Sequence, residues 1–311
     1  MLELLVIMKT LLRKIVGESN YCKLRQAYFA LRADPAVSLC HQQEVQTVLD
    51  DNFVTSNLIL CNFCATVFQR TEPNHPEFLS CPTCGSIARE RVVIQCILNE
   101  LHNRTGELNL FFNQIREMKK YTLLECSPRI NENKRKIFES SLGEYISSDF
   151  DMSAHQADVK IDLCNLDDIE QFKARFDFII CSHVLEHILD YSTALTNLKE
   201  LLAPGGVLVL QVPILEEEYT KVTWDEFHGD NTRVYHRFGF DLIIPMREVF
   251  NKVVPVLGQI DFPITSSEIS MDKYRTIKDL RAQCLVLGDD LLKYYGLGNP
   301  DLCDAFVAHK E

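Results

Sequence analysis

The sequence predicts an α/β fold built on a parallel β-sheet, and residues 175–213 carry most of that prediction. The apolar run at residues 176–180 is typical of a strand buried on both faces. Leucines at helical spacing follow in residues 185–202, and Pro204-Gly205-Gly206 interrupts them before a second apolar strand at residues 207–212. A strand, a helix and a strand of this length form one βαβ unit, whose right-handed crossover makes the two strands parallel.

Composition and charge limit the classes of function. The chain has 311 residues, of which 46% are hydrophobic, enough for a packed core in one large domain or two. Its formal net charge of −12 argues against a broad nucleic-acid surface and favours a small-molecule or protein substrate. No signal-peptide pattern stands at the start, and no apolar run approaches the length of a membrane span. We therefore expect a cytoplasmic protein.

Four of the twelve cysteines form two Cys-x-x-Cys pairs separated by sixteen residues: Cys61, Cys64, Cys81 and Cys84. Each pair brings two sulfurs together in a tight turn, and Gly85 permits a close approach of the backbone. This spacing predicts a zinc ribbon with a closed, structural site. An iron site with the same four ligands and a disulfide pair are the alternatives.

The chain divides into three predicted parts: an N-terminal helical segment at residues 1–52, the zinc ribbon at 53–88 and an α/β domain at 89–311. The first part has a basic amphipathic pattern, which fits either packing on protein or binding at a membrane surface. Between the two cysteine pairs, Pro73, Pro76 and Phe78 suggest the short paired strands or loops of a ribbon.

The βαβ unit resembles a known family. FDFIICSHVLEHI and LLAPGGVLVLQVP, at residues 176–188 and 201–213, resemble the fourth- and fifth-strand region of class I S-adenosylmethionine-dependent methyltransferases. CPTCGSIARER, at residues 81–91, resembles a segment of bacterial methyltransferases that carry an N-terminal zinc ribbon. The resemblance implies a seven-stranded, mostly parallel, doubly wound Rossmann-like sheet, whose closing strand at 302–309 pairs antiparallel at the sheet edge. It also implies methyl transfer from S-adenosylmethionine.

The resemblance assigns cofactor binding to seven residues: Glu125, Ser127, Pro128, Asp149, Asp162, Leu163 and Ser182. Ser127 and Pro128 replace the glycines of the family's first turn, which let the backbone approach the methionine part of the cofactor. Asp149, at the end of the second predicted strand, has the carboxylate that a ribose requires, with Asp151 in reserve; either is alternatively an ordinary loop acid.

The third predicted strand and its exit, at residues 157–163, contain the two residues that the resemblance places beside the adenine ring of the cofactor. The resemblance implies that Asp162 accepts a hydrogen bond from the amino group of adenine. It also implies that the backbone amide of Leu163 faces the adenine ring. As an alternative that does not exclude this role, Asp162 or Asn165 caps the following helix.

Candidate catalytic and substrate-binding residues lie further along the chain. His183 and His187 follow the fourth strand and have the ordinary pKa of a base at neutral pH, although His187 is equally consistent with a packed helix residue. Glu186 orients one of them or caps a helix. After the fifth strand, residues 215–230 are acidic and predicted to be irregular. Arg233 and Tyr235 then fit an anionic or hydroxylated acceptor, or alternatively anchor a lid.

Two arginines behind the second cysteine pair, Arg89 and Arg91, either reach the active site or a substrate anion, or have a surface or salt-bridged role. The predicted function is methyl transfer to a small-molecule acceptor. A catalytically inactive protein-binding module and an RNA methyltransferase are the alternatives, and the acidic charge counts against RNA. The acceptor and the oligomeric state stay open.

Overall fold

The computed structural model describes residues 58–69, 80–105, 111–214, 219–228, 231–256 and 305–311. The described strands are β1 Leu58–Leu60, β2 Val67–Gln69, β3 Thr122–Cys126, β4 Glu144–Asp149, β5 Val159–Lys160, β6 Phe176–Ser182, β7 Leu202–Gln211, β8 Lys221–Phe227, β9 Arg233–Arg237, β10 Lys252–Val256 and β11 Ala305–His309. The α-helices are α1 Ala88–Thr105, α2 Glu132–Ser141, α3 Met152–His155, α4 Leu166–Glu170, α5 Tyr191–Leu201 and α6 Ile243–Val249. Short 3-10 helices lie at Phe112–Gln114, Arg116–Lys120, Leu185–His187 and Phe240–Leu242.

Seven strands form the central sheet in the order β10-β11-β7-β6-β3-β4-β5. The pairs from β7 to β5 are parallel, whereas β11 pairs antiparallel with both β7 and β10. The predicted seven-stranded, doubly wound sheet and its antiparallel closing strand are therefore confirmed. Because β3 and β6 are central neighbours, their carboxyl ends meet where the strand order reverses, which is the usual ligand site of open α/β sheets.

Strand residues alternate between two apolar cores. On β7, Val207 and Val209 pack on the side of the sheet that carries α1, α2 and the cysteine pairs, whereas Leu208 and Leu210 pack on the side of α4, α5 and α6. This period-two pattern buries both faces of the sheet, which explains the continuous apolar runs in the sequence. The cysteine pairs thus share one core with the sheet.

Strand β7 begins earlier than the sequence predicts. We expected Pro204-Gly205-Gly206 to end the preceding helix and the strand to start at Val207, but β7 starts at Leu202. The pairing with β6 shifts register across this segment, and Gly205 has φ of +73°. The tripeptide is therefore a bulge inside the strand, where a glycine takes the left-handed conformation that other residues avoid.

The segment after β7 is more regular than predicted. We expected residues 215–230 to be irregular, but β8 occupies Lys221–Phe227 and pairs antiparallel with β9. Its Val222, Thr223 and Trp224 are residue types that favour strands, and their pattern was masked by the acidic neighbours. The cross-strand ion pair of Glu226 with Arg237 uses one of those acids to hold the hairpin.

Other predicted elements are confirmed within a few residues, and the third strand is much shorter, since β5 covers only Val159–Lys160. The predicted helical segment at 1–52 and the prolines between the cysteine pairs lie outside the described residues. So do residues 265–298, for which the sequence predicts a mostly polar stretch with helical pieces. In the part of the chain that the structure describes, no helix is both long and apolar enough to cross a membrane.

Candidate active site and metal centre

A cavity of about 900 Å³ opens at the carboxyl edge of the sheet. This volume is at the upper end of the range that is usual for small-molecule sites. Of the predicted cofactor residues, those that line it are Glu125, Ser127, Asp149, Asp162, Leu163 and Ser182; Pro128 does not. The predicted catalytic and substrate residues His183, His187, Arg233 and Tyr235 also line it. The fold thus brings residues that are up to 110 positions apart around one space, while their individual roles stay predictions.

Asp149 ends β4, and its carboxylate is 7% exposed. One oxygen accepts a hydrogen bond from the backbone N–H of Asp151 at 2.8 Å, and the other lies 2.7 Å from Nδ1 of His155. Each carboxylate oxygen has a second lone pair, so these contacts orient the group and leave it able to accept from a ligand. Asp151 caps α3 by accepting from the Ser153 N–H, so the reserve candidate already has a structural role.

Asp162 lies in the turn after β5 and accepts from the backbone N–H of Cys164 at 2.9 Å. The helix cap belongs to Asn165, whose side chain accepts from the Asp167 N–H at the start of α4. Of the two capping candidates, Asn165 is therefore the one that takes this role. The Leu163 carbonyl accepts from the buried Asn197 side chain at 2.7 Å, which fixes the backbone that faces the cavity.

Glu125 is held in a buried ion-pair chain that the sequence did not reveal. Its carboxylate accepts from Lys134 at 2.8 Å and from the Tyr145 hydroxyl at 2.7 Å, and Lys134 also bonds Glu90 at 2.9 Å. Burial opposes ionisation of Glu90, but Lys134 and Arg129 outweigh it and lower the Glu90 pKa to about 2. Lys134 stands on α2 without any sequence pattern that marks it, so only the fold shows that it joins α1 to β3.

His183 and His187 both follow the end of β6 and line the cavity. Nδ1 of His187 donates to the Arg233 carbonyl at 2.6 Å, because a carbonyl can only accept, so the lone pair of this ring lies on Nε2. His187 also contacts the ring of His228 edge to face at 4.9 Å. Glu186 lies within 4 Å of both predicted catalytic histidines and is 3% exposed.

The two arginines after the second cysteine pair, Arg89 and Arg91, lie in different surroundings. Arg89 lines the cavity, in agreement with one of its two predicted roles. Arg91 is 0% exposed and donates to the Ser86 carbonyl at 2.6 Å, so the predicted surface role of Arg91 is wrong, and Arg91 is not among the residues that line the cavity. Arg233 points its guanidinium at the Trp224 carbonyl and lies over the rings of Phe227 and Tyr235.

The four predicted metal ligands converge. All their sulfurs lie within 4.8 Å of one another, with 3.7 Å between Cys61 and Cys84 and 3.6 Å between Cys64 and Cys81. A tetrahedron with metal–sulfur bonds of about 2.3 Å has edges of about 3.8 Å, so these thiols fit a zinc ion. In each turn the residue after the second cysteine, Ala65 or Gly85, donates its N–H to the carbonyl of the first.

A family model described as a methyltransferase domain matches residues 105–241, which is a little under half of the chain. The matched segment contains β3 to β9, including the central parallel strands and their loops. Together with the strand order and the antiparallel β11, this match decides the fold. The chain has the class I methyltransferase fold.

Solved structures are also similar to the chain, and two of the following three are methyltransferases by name. The YcgJ protein from Bacillus subtilis is 16% identical over 30% of this chain and 44% of its own, with a TM-score of 0.25. The 1,6-didemethyltoxoflavin-N1-methyltransferase of Burkholderia thailandensis, with bound 1,6-didemethyltoxoflavin and S-adenosylhomocysteine, is 17% identical over 54% of this chain and 68% of that one, with a TM-score of 0.33. The chain spans less than half of the first of these two proteins.

A SAM dependent methyltransferase from Archaeoglobus fulgidus is 14% identical, over 73% of this chain and 96% of that one, with a TM-score of 0.36. Because all three TM-scores are below 0.5, we draw the class I methyltransferase fold from the strand order and the matched segment alone. No curated protein matches the chain significantly.

Proposed function

We propose that this protein is an S-adenosylmethionine-dependent methyltransferase that acts on a small-molecule acceptor. One observation carries the proposal: Asp149, Asp162 and His183 follow three different strands of a class I methyltransferase fold and line the same cavity. A nucleoside needs carboxylates at the first two positions, and a methyl acceptor needs a polar group near the third that aligns it.

In this proposal, Asp149 accepts hydrogen bonds from the two ribose hydroxyls, and Asp162 accepts one from the adenine amino group. Ser127 presents the backbone of the first turn to the methionine part of the cofactor. The bound cofactor supplies a methyl group on a positively charged sulfur, which is already activated for transfer. The protein therefore has to align the acceptor and take its proton, and His183 and His187 stand where these tasks arise. Because burial lowers the pKa of His183, the proton-accepting task falls to His187.

The acceptor end of the cavity is rich in cationic and hydrogen-bonding groups. Arg89, His228, Arg233 and Tyr235 line it beside the two predicted catalytic histidines. These groups favour a small acceptor that carries a carboxylate, a phosphate or several hydroxyls. A screen of such acceptors with labelled cofactor tests this part of the proposal. RNA substrates serve as the comparison class.

Calorimetric titration with S-adenosylhomocysteine tests the cofactor site directly. We expect binding in the micromolar range for the wild type, and at least a tenfold loss in Asp149→Asn, because charged hydrogen bonds to the ribose are weakened. Asp167→Asn is the matched control, since Asp167 is exposed on α4 and does not line the cavity. A folded wild-type protein that does not bind would refute the proposal and favour a protein-binding module.

We further propose that Cys61, Cys64, Cys81 and Cys84 bind one structural zinc ion. Their mutual distances support this assignment, and a set of four thiolates favours zinc. Metal analysis of purified protein should find one equivalent of zinc, retained in Cys164→Ser and reduced in Cys84→Ser. Cys164 is an exposed cysteine outside the cluster, so it controls for the loss of a thiol. Iron in the same analysis, or no metal at all, would contradict the zinc assignment.

A further inference from the structure

The turn after β3 has an unusual backbone for a turn without glycine. Ser127 has φ of +46°, in the left-handed region that costs a residue with a Cβ atom about 1 kcal/mol or more. Its N–H donates to the Ser148 carbonyl on β4 at 2.7 Å, which connects the turn to the strand that ends at Asp149. Strained backbone of this kind persists only where neighbouring groups hold it in place.

The second cysteine pair supplies such a hold. Three successive backbone carbonyls in the turn around Cys84 each accept a hydrogen bond from a side chain within residues 129–133. The Gly85 carbonyl accepts from Arg129 at 2.6 Å, and the Cys84 carbonyl accepts from Asn131 at 2.9 Å. The Thr83 carbonyl accepts from Asn133 at 3.2 Å. Residues 83–85 and residues 129–133 thus run in opposite directions. Every second residue of the later segment, from Arg129 to Asn133, donates one of these hydrogen bonds.

The contact is close, and it is linked to the metal ligands. A Cβ atom on Gly85 would lie 2.9 Å from Nδ2 of Asn131, so the absence of a side chain at this position permits the approach. Gly85 also donates its N–H to the Cys81 carbonyl at 2.8 Å. The direction of the three carbonyls is therefore set by the tight turn between two cysteines whose sulfurs belong to the metal cluster.

A set of ion pairs forms a second connection between the cysteine segment and the turn after β3. Glu90, on the helix that follows the cysteines, bonds Arg129 at 3.1 Å and Lys134 at 2.9 Å, and Lys134 continues to Glu125 at the end of β3. Both sides of the turn are thus tied to the segment that contains Cys81 and Cys84. These contacts lie on either side of Ser127 and Pro128, which stand where the resembled family has glycines.

We propose that the turn at Cys81–Gly85, fixed by its metal, holds residues 127–133 in the conformation that binds the cofactor. Arg129, Asn131 and Asn133 are then positioning residues, and the metal centre affects cofactor affinity without touching the cofactor. The ligand part of this inference rests on the proposed function. It extends the role of the metal from stability of the fold to the shape of the first turn.

The test compares variants that keep the fold and the metal. Asn131→Asp retains the oxygen that caps α2 by accepting from the Lys134 N–H, and it removes the donor to Cys84. Asn133→Ala removes only the contact with Thr83. Glu132→Gln is the matched control, because Glu132 lies between them, is 86% exposed and pairs with Lys136 on the same helix. Each protein is checked for one equivalent of zinc and for its unfolding temperature.

We expect the zinc-loaded Asn131→Asp/Asn133→Ala double variant to bind S-adenosylhomocysteine about tenfold more weakly than the wild type, as the loss of two ordinary hydrogen bonds implies. Asn133→Ala alone should lose less, and Glu132→Gln should bind as the wild type does. A double variant that retains zinc and full affinity would overturn the inference, while binding by the wild type would still support the proposed function.

Hydrogen exchange provides a readout that does not depend on the cofactor. Removal of zinc with a chelator should speed amide exchange in residues 127–134 and leave β6 and β7 protected. Unchanged exchange in residues 127–134 after complete zinc removal would overturn the holding role, whether or not the protein binds S-adenosylhomocysteine. A wild-type protein that shows the exchange change but no binding would refute the proposed function and the ligand part of the inference together.

Discussion

Oε1 of Glu186 lies 3.5 Å from Nδ1 of His183; the Glu186 side chain is 3% exposed, whereas His183 is 14% exposed and lines the cavity. Burial raises the pKa of Glu186 to about 7, although Arg89 partly opposes this shift. Burial, with a contribution from Arg89, lowers the pKa of His183 to about 3. Among the described residues, neither Glu186 oxygen has a hydrogen-bond partner. Near neutral pH, His183 is thus neutral, and the carboxyl group of Glu186 is partly protonated and partly ionised.

The pH dependence of stability should report this buried carboxyl group. Its folded pKa is raised from 4.5, so the stability that it contributes is present below pH 4.5 and is lost as the pH rises through 7. In Glu186→Gln this loss disappears. The difference in free energy of unfolding between variant and wild type should therefore change by about 3 kcal/mol between pH 4.5 and pH 8.

Urea unfolding at several pH values measures this difference, with Glu132→Gln as the exposed control. His183 acts in the opposite direction, because its lowered pKa removes stability as the pH falls from 6.5 toward 3. A difference between Glu186→Gln and the wild type that is constant with pH would contradict the assignment of the shift to Glu186.

Replacement of Lys134 by methionine should destabilise the protein by about 3–5 kcal/mol, because it leaves two buried carboxylates, Glu90 and Glu125, without their shared cation. Lys136→Met is the matched control on the same helix, since Lys136 is 70% exposed. Chemical denaturation provides the comparison. Restoration of stability by adding Glu90→Gln and Glu125→Gln would confirm that unpaired charge, rather than lost packing, causes the effect.

Gly85 and Gly205 form a natural pair for measuring the contact between the cysteine turn and Asn131. Both have positive φ, +68° and +73°, but a Cβ atom meets nothing within 4 Å at Gly205. Gly205→Ala should therefore cost only the backbone strain, about 1 kcal/mol. Gly85→Ala should cost more, by a further 1–2 kcal/mol or so, because Asn131 must move. Equal losses of unfolding free energy would show that Asn131 moves without cost.

A proton-accepting role for His187 can be separated from its packing role. Asn at this position can still donate to the Arg233 carbonyl, in place of Nδ1, but it lacks the Nε2 lone pair. With an acceptor identified by the screen, His187→Asn should reduce kcat about 10²-fold or more near neutral pH and leave the affinity for S-adenosylhomocysteine unchanged. Full kcat in this variant would restrict His187 to packing and orientation.

The sequence predicted the elements whose information is local. The strand before Ser182, the crossover helix and the closing strand follow from apolar periodicity, and the four cysteines follow from spacing. The errors arose where local patterns were ambiguous. Glycines that normally end an element form a bulge within β7, and acidic residues concealed the strand propensity of Val222 to Trp224.

The candidate site was predicted in part for the same reason. Asp149, Asp162 and His183 each follow a strand, so their position at one sheet edge comes from topology that the sequence already indicates. Lys134 and Asn133 carry no such signal. The contacts of Lys134 and Asn133 are with residues from distant parts of the chain. The sequence does not show which of those residues come within hydrogen-bonding distance after folding.

By itself, the sequence determined the fold class, the set of four clustered cysteines and the residues that end the strands, because periodicity, spacing and residue type are properties of neighbouring positions. Only the tertiary structure decided that Cys84 faces Asn131, that Lys134 neutralises Glu90 and Glu125, and that Glu186 lies buried beside His183. Those relations join segments through hydrogen bonds and burial. Their energies depend on geometry and on exclusion of water, which exist only once the chain has folded.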